Sequence, residues 1–203
     1  QNLLYHLTKL SNLKSIIIPS GVKSIGNFAF YECSNLTSIR IPSIVTSIGN
    51  KVFGKCGKLK EISVENGNSA FVSIDGILFS KDMQTLICHP SCHHNSKYDI
   101  PSSVTSISSS AFFRCKELSS VTIPQGVISI GDYAFDGCSG LTSITIPQGV
   151  RSIGNYAFQL CSHLTSITIS SSVTSIGHDV FDGCDSLTQI SVESNNTQFV
   201  SID

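Results

Sequence analysis

Charge is scarce in this sequence. Only 13% of its 203 residues are Asp, Glu, Lys or Arg, and the two signs nearly cancel to a formal net charge of −1. There is no basic surplus to neutralise phosphates, so the balance argues against a nucleic-acid partner. No apolar run approaches the roughly 18 residues of a spanning helix, which excludes direct membrane insertion of this segment. No charged start, apolar core and cleavage site opens the chain. A glycine-rich phosphate loop leading into a helix is missing, and Ser, His and Asp are nowhere grouped as a nucleophile elbow. These absences predict a non-enzymatic protein with no catalytic residues and no cofactor.

What the chain does have is a repeat. The stretch 141–163, L-T-S-I-T-I-P-Q-G-V-R-S-I-G-N-Y-A-F-Q-L-C-S-H, recurs with its leading leucine at Leu13, Leu36, Leu59, Leu118, Leu141, Leu164 and Leu187. All steps are 23 residues except one of 59. A fixed period of about 20–29 residues is the signature of a leucine-rich-repeat solenoid, because one coil cannot bury its own apolar face and must stack on its neighbours.

Within a coil, Leu-x-x-Ile-x-Ile has the period of a half-buried strand. In 141–146 it points Leu141, Ile144 and Ile146 inward and Ser143 and Thr145 outward. Pro147, like Pro19, Pro42, Pro101 and Pro124, marks the strand end, where a missing backbone donor does least harm. A Val-x-x-Ile segment, a glycine (Gly26, Gly49, Gly131, Gly154, Gly177) and Ala-Phe-x-x-Cys complete the coil. The glycine implies either a positive φ or a close approach between coils. The pattern predicts a right-handed, mostly β leucine-rich-repeat solenoid of the α/β repeat class. A parallel sheet of about eight strands should line its concave face, with short helical or 3-10 turns on the convex side.

The 59-residue step resolves into an enlarged unit, 59–94, followed by an ordinary-length coil that lacks its leucine. The predicted organisation is one solenoid over 1–203, with regular coils at 13–58 and 95–186. Inside the enlarged unit a β-hairpin island spans about 65–94. Its F-V-S-I, Asp75-Gly76 and I-L-F-S carry the strongest short hairpin signal, with a third strand expected at Thr85–Cys88. F-V-S-I-D returns at 199–203, so 187–203 reads as the start of a second island. Both ends cut the repeat, which predicts a segment of a longer protein whose exposed terminal coils self-associate end to end.

Six cysteines (Cys33, Cys56, Cys115, Cys138, Cys161, Cys184) share one repeat position. An even count permits a disulfide framework, but a bridge between adjacent coils would disturb their stacking, and we read these as free, buried thiols. The remaining two fall in C-H-P-S-C-H-H, 88–94. Two thiols and three imidazoles there admit a zinc site, a haem attachment or a local Cys88–Cys92 disulfide. The spacing suits neither metal reading well, because a structural zinc site usually draws on two separated segments and haem attachment wants two residues between the cysteines. We therefore read an unliganded island loop and assign no metal site. Asn35 and Asn195 stand in glycosylation acceptor sequences.

The combination L-T-S-I-T-I-P-x-G-V-x-S-I-G-x-x-A-F-x-x-C, with F-V-S-I-D-G-I-L-F-S-K-D between coils, resembles the BspA-like leucine-rich repeats. That resemblance covers residues 7–203. It implies a cell-surface or secreted adhesion module that binds host matrix or cell-surface protein, and it carries over no catalytic residue. A spacer presenting other domains is the alternative, and a metal protein built on 88–94 a weaker one. Most outward strand positions form a hydroxyl strip, whereas charge gathers beside the island. Arg40, Glu61, Ser63, Glu65, Lys97 and Asp99 are accordingly the candidate partner-binding residues.

Overall fold

The computed structural model describes residues 3–4 and 7–199. In chain order the strands are β1 (Leu3–Leu4), β2 (Ser24–Ile25), β3 (Ser38–Ile41), β4 (Ser47–Ile48), β5 (Glu61–Val64), β6 (Phe71–Ile74), β7 (Ile77–Ser80), β8 (Thr85–Cys88), β9 (Lys97–Asp99), β10 (Ser106–Ile107), β11 (Ser120–Thr122), β12 (Ser129–Ile130), β13 (Ser143–Ile146), β14 (Ser152–Ile153), β15 (Ser166–Ile169), β16 (Ser175–Ile176) and β17 (Gln189–Val192). They wind into a leucine-rich-repeat solenoid. Almost every parallel pair is offset by the repeat length, as in Ser143↔Ser166 and Ser166↔Gln189.

Each coil has three hydrogen-bonded faces. The Leu-x-x-Ile-x-Ile strands form the strand face, in the pairs β3–β5 and β9–β11 and the triplet β13–β15–β17. Among the described residues this is seven strands, against about eight expected. The segment 14–18 has the sequence pattern but no ladder; Thr37 N to Lys14 O, at 3.3 Å, is the backbone bond that ties it to the next coil. The Ser-Ile dipeptides form a second, narrower parallel ladder in two runs, β1–β2–β4 before the island and β10–β12–β14–β16 after it, where β8 leads the second run.

The third face carries the Ala-Phe-x-x-Cys segments. Their N–H groups bond three residues back, as Tyr31 does to Phe28 and Cys33 to Phe30, which is the bonding of a 3-10 turn. A left-handed residue interrupts each one, at Phe28, Glu32, Tyr133, Tyr156 and Leu160 for example, so no helix forms among the described residues. The alternation turns every second N–H toward the following coil. Tyr133, Phe135 and Gly137 donate to Asn155, Ala157 and Gln159. This turn ladder is as regular as the two sheets.

The repeat residues now acquire reasons. Phe112, Phe135 and Phe158 stack with ring centroids 4.8 and 5.1 Å apart and planes within 6° of parallel. The cysteines are free, and their thiols are donors: Cys138, Cys161 and Cys184 Sγ reach the carbonyls of Phe112, Phe135 and Phe158 one coil back at 3.0–3.2 Å. The repeat glycine answers to close approach, because a Cβ at Gly154 would lie 2.5 Å from Asp132 N and Oδ1. The aspartate holds that position by accepting from Asn155 N at 2.8 Å.

All three ladders stop at the island. β5 and β9 do not pair; instead the hairpin β6–β7 enters between them, with Ile62 N donating to Gly76 O at 2.8 Å. Asp75 and Gly76 both have positive φ, 49° and 78°, as the two-residue turn requires. β7 is buried on both faces and divides the core. Leu78 packs with the cluster of the first coils, and Ile77 and Phe79 with the cluster of the later ones. β8 then runs antiparallel to β7 and parallel to β10, restarting the second ladder.

The entrance to the island is a buried Asn68. Its Nδ2 donates to Pro42 O and Val45 O, and its Oδ1 accepts from Ala70 and Phe71 N. Asn196 repeats this arrangement on Ser170 O, Val173 O, and Gln198 and Phe199 N. The second island therefore starts in the same way; its remaining residues, 200–203, lie outside the described residues, as do the chain ends on which end-to-end association was expected.

Candidate functional site

The segment 88–92 is not a free loop. Counting back 23 residues from Ala111, Phe112 and Cys115 reaches Cys88, His89 and Cys92, so C-H-P-S-C is the island's own version of A-F-x-x-C. His89 N donates to Ala111 O at 2.7 Å, as Phe112 N does to Ala134 O. The imidazole stacks on Phe112 at 5.2 Å, extending the Phe column by one ring, and Cys115 Sγ bonds the His89 carbonyl at 3.6 Å. The offset was readable in the sequence, but His in place of Phe concealed it.

His89 is 2% exposed, and burial pushes its pKa down to about 3. Its Nδ1 lies 3.0 Å from Pro90 O, an acceptor, so Nδ1 carries the proton and Nε2 is a bare lone pair. His93 Nε2 sits 2.8 Å from Asp75 O and thereby fastens the hairpin turn. Among the described residues no three His, Cys, Asp or Glu side chains converge on a point that could hold a metal ion. His89 and His93 are buried beside the hairpin, and His94 is exposed.

The candidate partner-binding residues fall into two groups. Arg40 and Ser63 are register partners on β3 and β5, and Glu61 faces Ser38. Glu65 follows β5 and returns to Arg40, with Oε1 3.2 Å from Nε, while Oε2 accepts from Ser43 N. These four residues share one stretch of the strand face. Lys97 and Asp99 lie on β9 and pair in register with Ser120 and Thr122. The hairpin turn separates them from the first group: a Cβ at Gly76 would sit 2.9 Å from Glu61 Cβ.

The candidate set left out two exposed apolar residues near this face. Ile17, one repeat before Arg40, is 91% exposed, and Ile74 at the hairpin turn is 46% exposed. The first was visible as an outward isoleucine. The second was not, because whether the end of β6 is covered depends on where the hairpin docks. Asn35, one of the two possible glycosylation acceptors, has its Nδ2 bonded to Ser11 O at 2.6 Å.

Comparison with known proteins places this geometry. The chain matches the family described as the BspA type leucine rich repeat region, in six copies over residues 5–94 and 86–201. Among solved structures it is similar to a leucine-rich repeat protein from Eubacterium ventriosum, with a TM-score of 0.84 and 31% identity over 90% of this chain and 48% of that one. A leucine rich cell surface protein from Faecalibacterium prausnitzii aligns with a TM-score of 0.72 and 27% identity over 97% of this chain and 59% of the other. The pneumococcal vaccine antigen PcpA shares the fold, with a TM-score of 0.66 at 23% identity over 91% of this chain and 58% of its own. The chain thus spans about half to three fifths of the length of these proteins. No match was found among curated proteins. The repeat register, the Phe and Cys columns and the family match together establish that this chain belongs to the BspA-type leucine-rich repeat family.

Proposed function

We propose that this segment is a non-enzymatic protein-interaction module that acts in adhesion at a cell surface, and that its partner docks on the strand face beside the island. One observation carries the reading: Ile17 stands exposed one repeat before Arg40, and Ile74 stands exposed at the hairpin turn that abuts Glu61. Apolar side chains held open on a rigid sheet and rimmed by charge are the composition of a protein-binding patch. The Arg40–Glu65 pair is solvent-exposed and worth about 0–1 kcal/mol to the fold, so stability does not account for it. Lys97 and Asp99 extend the patch beyond the hairpin turn. The likeness to a leucine rich cell surface protein supports the location.

The test is a pull-down from matrix and cell-surface extracts with the segment and with a variant carrying Arg40→Glu, Glu61→Lys, Lys97→Glu and Asp99→Lys. The wild-type bait should capture saturable protein partners that the variant loses, at unchanged melting temperature. Equal recovery by both baits removes these residues from the site, and no saturable capture by either favours a spacer.

A further inference from the structure

On the turn face, the interruption leaves a ladder edge open. In the regular coils the N–H groups at three alternate positions each find a carbonyl of the next coil, as Ser110, Phe112 and Arg114 find Asp132, Ala134 and Asp136. The same positions in the coil before the island are Lys51, Phe53 and Lys55. Among the described residues these three N–H groups have no hydrogen-bond partner. On the facing coil, Ser109 O and Phe113 O are likewise unbonded, while Ala111 O is taken by His89.

The gap between the two edges is a cavity. It measures about 270 Å³ and is lined by Lys51, Phe53, His89, Ser109, Ser110 and Phe113, among others. A second cavity of about 220 Å³ continues past Ser91 to Lys55, Arg114, Lys116 and Glu117. The cause is a shortened turn. Leu86 takes the place of Ile107 opposite β10 and His89 that of Phe112, so the island has two residues fewer between these positions than the coil that follows.

Three features of this cavity point to a ligand. Lys51 and Lys55 are left-handed, with φ of 52° and 59°, so the open N–H groups belong to an alternating right- and left-handed backbone, the arrangement that makes anion-binding nests. Cations surround them. Lys51 spans the cleft, its ammonium 3.2 Å from the Tyr133 ring centroid in a coil beyond and within the field of Asp132 and Asp136, and Arg114 and Lys116 line the continuation beside Glu117, with Glu32 and Asp136 acting on Arg114. Lys55 is already paired with Glu32. Finally, the wall includes buried acceptors and hydroxyls: His89 Nε2 and Ser110 Oγ, in residues 2% and 8% exposed, have no partner.

We propose that this cleft binds a small hydroxylated anion, the chemistry of an acidic sugar unit. The acid group takes the N–H edge and the cations, and the hydroxyls donate to His89 Nε2 and the open carbonyls. The size agrees, since the larger cavity lies just below the roughly 300–1,000 Å³ of pockets for drug-sized ligands. The site faces away from the strand surface and does not depend on it.

The experiment is an amide-resolved NMR titration of the folded segment at fixed ionic strength, with D-glucuronate, its methyl glycoside, D-glucose and inorganic phosphate as probes. Glucuronate should shift the Lys51, Phe53 and Lys55 amides saturably, at least about tenfold more tightly than glucose or phosphate. Equal binding of the methyl glycoside assigns a glycan-linked acid as the source, and binding of the free acid alone assigns a free sugar acid. Arg114→Gln with Lys116→Gln should weaken binding about tenfold. Ser109→Asp should abolish it without harm to the fold, because the next coil carries Asp132 at that position. Glucose or phosphate binding as tightly as glucuronate, shifts confined to the strand face, or full binding by the Ser109→Asp variant would each overturn the proposal.

Discussion

The coils from 118 to 186 and the unit from 59 to 94 are built from the same parts with opposite results. In the regular run each Phe ring lies on the next, each thiol caps a carbonyl and each turn N–H finds the following coil. In the island, a two-sided strand splits the core and a histidine stands in the Phe column, and the coil before it is left with three N–H groups at the edge of the cavities. Of the four buried polar side-chain atoms without partners among the described residues, His89 Nε2 and His93 Nδ1 belong to the island, and Ser110 Oγ lines its cavity. A solenoid is strong where neighbours are identical, because every donor then meets an acceptor at the same height. Where the repeat changes length, that matching fails and polar groups are left available.

The largest way to break the regular half is Phe135→Ala. The ring is fully buried between Phe112 and Phe158, so its loss should cost about 3–5 kcal/mol in denaturant unfolding. Next comes the inter-coil spacing. Gly154→Ala forces a Cβ onto Asp132 and should cost about 1–3 kcal/mol. Ser108 occupies the same repeat position after the shortened island turn, where a side chain fits, and Ser108→Gly should change stability by less than about 1 kcal/mol. Equal effects at the two positions would show that spacing is uniform after all.

The smallest effect sharpens the comparison at the column itself. His89→Phe restores the ring type and removes a buried, unpartnered Nε2, so it should stabilise the fold by about 1 kcal/mol at neutral pH. It should also change the acid response. The folded His89 pKa of about 3 lies below the unfolded value of about 6.5, so the unfolded chain binds the extra proton in between. Stability is therefore fully present above about pH 6.5 and is lost as the pH falls toward 3. The variant should lack that component, and urea midpoints across this window would show it. A wild-type and variant pair with parallel pH profiles would mean that His89 is not held neutral by the fold.

Much of this was legible. The 23-residue period carries the coil, because each apolar position repeats the same inward direction, and Asp75-Gly76 carries the hairpin, because both residues accept a left-handed backbone. The thiol role of the repeat cysteines could be read only as burial; the carbonyl each one caps lies 26 residues earlier. The four-residue patch at Arg40 was half legible. Alternation showed which side chains point outward, but the separation of Lys97 and Asp99 from Glu61 depends on the hairpin that enters between their strands.

By itself the sequence determined that there is a solenoid, its step, and the place where the step is interrupted, since these follow from periodicity and turn chemistry within about one coil. The tertiary structure decided what the interruption does. Leu78 packs into one core and Ile77 and Phe79 into the other only because β7 is set between two stacks. Asn68 is a seal because the carbonyls of Pro42 and Val45 come round beneath it. The open edge at Lys51, Phe53 and Lys55 exists because a turn two residues shorter leaves the carbonyls of the next coil out of reach. Each depends on which groups a distant neighbour leaves unpaired, and hydrogen-bond pairing across coils is a property of the stack rather than of any one stretch of chain.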